Sequence, residues 1–176
     1  MNVTMSWQTA LEGVRVLLVE DDVDTREVLA LGLELSGAEV VAVTSTAEAF
    51  EALQGFRPHV LLSDIGLSGE DGYGLIQRVR QLPADRGGAV PAAAVTAFTL
   101  ADDRERALRA GFDTHFAKPV ETSALIETVA NLARRSYWQG IPPIPDRRRN
   151  DRRTPADQPG HRRFRERRHN SARPQL

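Results

Sequence analysis

A chain of 176 residues, 41% hydrophobic and 27% charged, has room for one domain of ordinary size plus some extra chain. Its net charge of −1 hides two opposite parts: residues 1–140 hold 12 Arg and Lys against 20 Asp and Glu, a net of −8, and residues 141–176 hold 11 Arg against 4 acids, a net of +7. The absence of cysteine excludes disulfides and thiolate metal sites. No run approaches the roughly 18 apolar residues that span a bilayer, and Met1 to Glu12 lacks the basic head and apolar core of a secretory signal, so a cytoplasmic protein is expected.

Residues 1–13 show no periodicity and are expected to lead in loosely. Val14 to Val19 is β-branched and apolar, a central strand that runs into Glu20, Asp21 and Asp22. From Asp24 a helical pattern places Val28, Leu31 and Leu35 on one face, with Leu29 and Leu33 beside them, and Ser36-Gly37 ends it. Glu39 to Val43 is a second strand. Ser45 or Thr46 then caps a helix expected to stop near Gly55. The run Val60-Leu61-Leu62-Ser63-Asp64-Ile65 reads as a strand buried on both faces, with Asp64 at its carboxyl end, followed by a glycine-rich loop through Gly66, Ser68, Gly69, Asp71 and Gly72. A helix around Leu75, Ile76 and Val79, a strand from Val90 to Val95 ending at Thr96-Ala97, and a charged surface helix from Asp102 to Ala110 come next. Asp113 to Ala117 is a short fifth strand leading to Lys118-Pro119, and a last amphipathic helix uses Leu125, Ile126, Val129 and Leu132.

Five strands alternating with five helices through short connections predict a parallel sheet covered on both faces by right-handed crossovers. Pattern alone does not fix the strand order. An order of 2-1-3-4-5 would make the first and third strands neighbours at the switch point and bring Glu20, Asp21 and Asp64 into one crevice. Three carboxylates there would repel one another, and a hard divalent cation is the usual resolution; Mg²⁺ fits best, because it accepts a few carboxylates and keeps sites for phosphate oxygens. A carboxylate facing such a phosphoryl group can act as a nucleophile. The added charge would then want a hydroxyl and a cation at neighbouring strand ends, where Thr96 and Lys118 stand. Lys118 is the chain's one lysine among 23 basic residues, and a compact ammonium suits a single phosphate oxygen.

Val19-Glu20-Asp21-Asp22, Ser63-Asp64-Ile65 with Gly69-Glu70-Asp71-Gly72, Val95-Thr96-Ala97 and Lys118-Pro119 resemble, in order and spacing, the receiver domain of bacterial response regulators. The resemblance covers residues 14–134 and implies a flavodoxin-like, doubly wound, five-stranded sheet of order 2-1-3-4-5. It implies that Asp64 is the phospho-acceptor and that Glu20, Asp21, Asp64 and the backbone carbonyl of Gly66 hold Mg²⁺. Thr96 would swing toward the phosphoryl group and Lys118 would pair with it. The phosphoryl donor would be a histidine kinase or a histidine phosphotransfer protein, and the output a contact with a downstream protein. In this family the first helix meets the donor, so Leu29 and Leu33 are either docking residues or more deeply buried than packing on a sheet requires. Two positions depart from the pattern. Ser68 stands where the family often has proline, a change expected to alter loop stiffness more than chemistry. His115 occupies the place of the rotating aromatic switch residue, and is either a pH-sensitive switch or an ordinary strand residue. Gly66 puts no side chain over the phosphate, and Phe98 cannot orient water by hydrogen bonding.

Taken singly, these residues have plainer roles: Glu20 and Asp21 as solvated acids, Asp64 as a turn former and Thr96 as a strand-end threonine. It is their combination with Lys118 that favours a site. From residue 136 the chain changes kind. Six of the ten prolines and the clusters Arg147-Arg148-Arg149, Arg152-Arg153 and His161 to His169 fall in a tail expected to be disordered. Its Arg clusters could bind nucleic acid or anionic lipid, although a solvated tail is favoured and no DNA-binding module is recognisable. The expected organisation is a lead-in over 1–13, a receiver over 14–135 and the tail over 136–176. Rival functions are a phosphorylation-gated nucleic-acid binder using the tail and an aspartate-nucleophile phosphatase. The second is disfavoured, because such enzymes place a D-x-D after the first strand, where this chain has Glu20-Asp21-Asp22. Leu11 to Leu17 resembles the junction before receivers fused to hybrid sensor kinases.

Overall fold

Each strand of the sheet is short, four or five residues, and each is followed by a helix that returns the chain to the sheet's starting edge. The computed structural model describes residues 9–97 and 101–138. The elements are β1 (Arg15–Val19), α1 (Val23–Leu35), β2 (Glu39–Val43), α2 (Thr46–Phe56), β3 (Val60–Asp64), α3 (Gly72–Arg80), β4 (Ala92–Thr96), α4 (Ala101–Ala110), β5 (Thr114–Ala117) and α5 (Thr122–Trp138), with a 3₁₀ turn at Ala84–Arg86. All strand pairs are parallel, in the order β2-β1-β3-β4-β5. This is the flavodoxin-like, doubly wound arrangement. Among the described residues, no helix is long and apolar enough to cross a membrane.

The central strands are buried because both faces are covered. Every residue of β3 and β4 is buried, and successive side chains feed two separate cores. Leu17, Val19, Leu61, Ala92 and Ala94 point into one core with Leu53, Leu75, Ile76 and Val79. Val16, Leu18, Val60, Leu62 and Ala93 point into the other, with Leu29, Leu33, Leu125 and Val129. Side-chain caps start the first three helices: Asp22 accepts from Thr25 N (2.8 Å), Ser45 from Glu48 N (3.3 Å) and Asp71 from Gly74 N (2.8 Å). Gly72 opens α3 hard against β3. A Cβ there would lie 2.3 Å from the Asp64 carbonyl oxygen, so only glycine fits.

Several expectations are corrected. On α1 the faces are exchanged: Leu29 (6% exposed) and Leu33 (0%) are core residues, whereas Val28 (66%), Leu31 (56%) and Leu35 (66%) lie in solvent. Buried Leu29 and Leu33 are therefore not docking residues. The lead-in is not loose where it is described. Leu11 is fully buried, its N–H donates to Ser36 O (2.8 Å), and Val14 N–H donates back to Leu11 O (2.9 Å). α2 ends near Gly55 as expected, at Phe56, but the left-handed cap conformation falls on Arg57 (φ 51°) rather than on glycine, and Pro58 forbids continuation. β4 starts at Ala92 rather than Val90, because Pro91 intervenes and Val90 N–H closes a turn onto Gly87 O. α5 continues past residue 135, and buried Ser136 donates to His59 O (2.6 Å). The expected disorder of the Arg-rich tail and the place of Phe98 concern residues outside those described.

Candidate functional site

The register of the sheet settles which side chains meet. Val19 pairs with Ser63, Asp64 with Val95 and Thr96 with Ala117, so Glu20, Asp64, Thr96 and Lys118 all emerge at the carboxyl edge of four adjacent strands. That edge is where open α/β sheets place their ligands. Glu20, Asp21 and Asp64 each offer an oxygen, and the three oxygens lie within 4.8 Å of one another. Lys118 reaches into the cluster. Its Nζ donates to Asp64 Oδ2 at 2.7 Å and contacts Glu20 Oε2, also at 2.7 Å. The Glu20 contact lacks good hydrogen-bond alignment, but at that separation charge attraction holds it. The Lys118–Pro119 peptide is cis, and Lys118 N–H donates to Thr96 O (2.8 Å).

Three carboxylates against one ammonium leave the crevice short of positive charge. Burial pushes the Glu20 carboxyl above its ordinary pKa; contact with Lys118 pulls it back and the Asp64 charge pushes it further up. Burial pulls the Lys118 ammonium down, but its bonds to Asp64 and Glu20 outweigh that, so its pKa rises. Asp21 goes the other way, lowered by hydrogen bonds from the Ser68 hydroxyl and then from the Ser68 backbone N–H. All the cluster's donors are hard oxygens, with a buried Glu20 whose charge is incompletely met. These residues fit a small oxygen-seeking dication such as Mg²⁺.

Of the other residues singled out by sequence, Gly66 donates its N–H to Asp64 Oδ1 at 2.9 Å, and a Cβ on it would stand 3.7 Å from that oxygen. Glycine therefore leaves the approach to Asp64 open. Thr96 is buried at the end of β4. His115 is half-buried on the edge strand β5 opposite Ala94. Its neighbour Phe116 packs toward α5, so by strand alternation His115 faces the α3–α4 side.

Arg26 escaped the sequence reading, and so did the part Ser68 plays. Arg26 on α1 donates to Glu20 O (3.0 Å) and Asp21 O (3.3 Å), fixing the acidic loop through its backbone. Ser68 donates both its backbone N–H (2.9 Å) and its hydroxyl to Asp21 Oδ2. A signal for Ser68 was present: a residue other than proline supplies an N–H that proline lacks. Nothing in the sequence marks Arg26, whose partners are carbonyls.

Comparison with known proteins bears on this arrangement. The family model for the response regulator receiver domain matches residues 16–130. The chain is 40% identical over 128 residues to an uncharacterised 14.6 kDa protein of Leptolyngbya boryana, covering 73% of this chain and 92% of that one. It is 35% identical over 127 residues to the transcriptional regulatory protein PrrA of Mycobacterium bovis, covering 72% of this chain but only 53% of PrrA. Among solved structures, the receiver domain of a sensor histidine kinase of Pseudomonas aeruginosa, which has a magnesium ion coordinated in its active-site cleft, superposes with a TM-score of 0.63 at 30% identity, covering 69% of this chain and 98% of that one. The chain belongs to the response regulator receiver domains of two-component signalling.

Proposed function

We propose that this chain accepts a phosphoryl group on Asp64 from a phosphohistidine on a histidine kinase or a histidine phosphotransfer protein. The observation that carries this reading is Lys118 Nζ, held 2.7 Å from an Asp64 carboxylate that shares a 4.8 Å cluster with Glu20 and Asp21. An Asp64 oxygen attacks phosphorus as the donor's N–P bond breaks. The imidazole nitrogen keeps the bonding pair and takes up a proton, and the aspartyl phosphate is left on the chain. Glu20, Asp21, Asp64 and the Gly66 carbonyl would hold Mg²⁺, which when bound offsets the charge on the phosphoryl oxygens.

The chain's own groups supply the rest. Gly66 N–H orients the Asp64 carboxylate, and Gly66 leaves space for the incoming group. Lys118 moves from the carboxylate to a phosphoryl oxygen. Thr96 follows with its hydroxyl, and His115 on the neighbouring strand reports the change to the α4–β5–α5 side, biasing a protein-contact surface between two states. The unit carrying this chemistry is the receiver expected over 14–135, extended by Leu11 at one end and by the last turn of α5 at the other. The solvent-facing ridge of Val28, Leu31 and Leu35 on α1 is the surface offered to the donor. The chain acts as a phosphoryl acceptor, without turnover on generic phosphate esters.

The test is intact-mass detection of phosphorylation by a small acyl phosphate, with and without Mg²⁺, on wild type and Asp64→Asn. One added phosphoryl group that needs Mg²⁺ and is absent in Asp64→Asn is the expected result. No gain in wild type under any condition would remove Asp64 as an acceptor.

A further inference from the structure

We infer that Ser68 is a positioning residue for the metal ligand Asp21, holding one carboxylate oxygen so that the other is presented to the cation. This rests on the reading of Glu20, Asp21 and Asp64 as a Mg²⁺ site. Ser68 and Asp21 lie 47 residues apart on different loops, yet Ser68 N–H and Oγ both donate to the same atom, Asp21 Oδ2. A carboxylate oxygen has two lone-pair directions, and two donors fill both. With Oδ2 so occupied, Oδ1 is the oxygen left for a cation.

The clamp has a firm base. Two residues on, Glu70 Oε2 accepts from Thr46 Oγ1 at the start of α2 (2.9 Å) and from Arg78 Nη1 on α3 (2.6 Å). Gly72 N–H closes the loop onto Ile65 O at 3.0 Å. Ser68 therefore projects its donors from a loop pinned to two helices and to the end of β3. Asp21 is half-exposed at the end of β1, and Ser68 is the largest influence on its carboxylate, ahead of the backbone N–H groups of Asp21 and Asp22; Arg26 holds the loop's backbone, not the carboxylate. Outer partners of ligating carboxylates commonly matter 10–100-fold to metal affinity by fixing the ligand's orientation. A residue at position 68 without an N–H gives up half of the clamp, and one without a hydroxyl gives up the other half.

The test is titration of the metal-free full chain with Mg²⁺ alone by calorimetry, on wild type, Ser68→Thr, Ser68→Ala and Ser68→Pro. Unfolding in EDTA serves as the check of folding. Ser68 is exposed, so Ser68→Ala leaves the fold intact, and it decides the matter if the proline variant does not fold. The expected order is Thr within about twofold of wild type, Ala several-fold weaker, and Pro weaker by about 10–100-fold. Recovery by Thr separates the hydroxyl's role from general loop packing. Wild-type Mg²⁺ binding with Ala unchanged or tighter would overturn the positioning role alone, the tighter result meaning that the clamp competes with the cation. A wild-type chain that binds no Mg²⁺ would overturn the metal-site reading and this inference together.

Discussion

Glu20→Gln tests the electrostatics of the crevice without touching Asp64. Glu20 is fully buried, and one of its oxygens shares the 4.8 Å cluster with Asp21 and Asp64. At an effective dielectric of about 20, unit charges 4.8 Å apart repel by about 3.5 kcal/mol. At that limiting separation two such neighbours give about 7 kcal/mol of repulsion, which screening of half-exposed Asp21 reduces. Lys118 at 2.7 Å returns about 6 kcal/mol at the same dielectric. The charges nearly cancel, and the burial cost of the Glu20 carboxylate is left over, in keeping with its raised pKa. A glutamine keeps the shape and an acceptor for Lys118 but carries no charge to bury. In EDTA at pH 7.5 the variant is expected to be more stable by about 0.5–2 kcal/mol, as when stability is regained at a functional site. With a urea m-value of roughly 1–3 kcal/mol/M, that is a midpoint higher by about 0.3–1 M. Because the folded pKa of Glu20 lies above its reference of 4.5, the group's favourable contribution is complete below about that pH and is lost as pH rises through the folded pKa. The variant's advantage therefore starts near zero in acid, grows with pH and then levels off. If Glu20 helps to hold Mg²⁺, as proposed, saturating Mg²⁺ narrows or reverses it. A variant less stable than wild type in EDTA at pH 7.5, or an advantage independent of pH, would refute the reasoning.

Leu11→Ala is expected to cost about 2–5 kcal/mol, read as a lower urea midpoint, because Leu11 is fully enclosed between the end of α1 and the second core. Leu31→Glu, at a position 56% exposed, is expected to change stability by less than about 0.5 kcal/mol and to leave phosphorylation by an acyl phosphate intact. It should slow transfer from a histidine-phosphorylated donor that serves wild type, as followed by loss of label from the donor. Equal transfer rates would remove the α1 ridge as the docking surface.

The order of elements and the edge where the site forms were legible because a buried parallel strand is a compact apolar run, and the residue after it stands at the sheet's edge whatever the loops do. What periodicity does not give is which of two apolar arcs faces inward. On α1, Leu29 and Leu33 lie on one side and Val28, Leu31 and Leu35 nearly opposite, so either arc satisfies the helical pattern. The neighbours of the inward arc decide the matter. Gly32 and Ser36 are small, and a Cβ on Gly32 would come within 3.0 Å of Thr122 Cγ2, so α1 packs closely against the start of α5 and two leucines suffice to fill the gap. Leu11 was missed for a related reason: a single leucine in an aperiodic stretch gives no period, and its burial depends on a hydrogen bond to Ser36, 25 residues away.

The site divides along the same line between side chains and backbone. Glu20, Asp21, Asp64, Thr96 and Lys118 announce themselves because they are ionisable or hydroxyl side chains at strand ends, where an apolar run stops. Arg26 and Ser68 act partly through main-chain groups, which every sequence has and none displays. At position 68 a departure judged by its effect on stiffness proved to be a gain of two donors, both aimed at a carboxylate of the acidic cluster. Loop residues beside a charged cluster are therefore better judged by what their N–H can reach than by side chain alone. By that criterion Gly66 belongs with Ser68, since its one polar contribution shown here is an N–H held 2.9 Å from Asp64 Oδ1. The β3–α3 loop thus presents two amides to the crevice, one on each of two carboxylates, and orders both from the backbone before any ligand arrives.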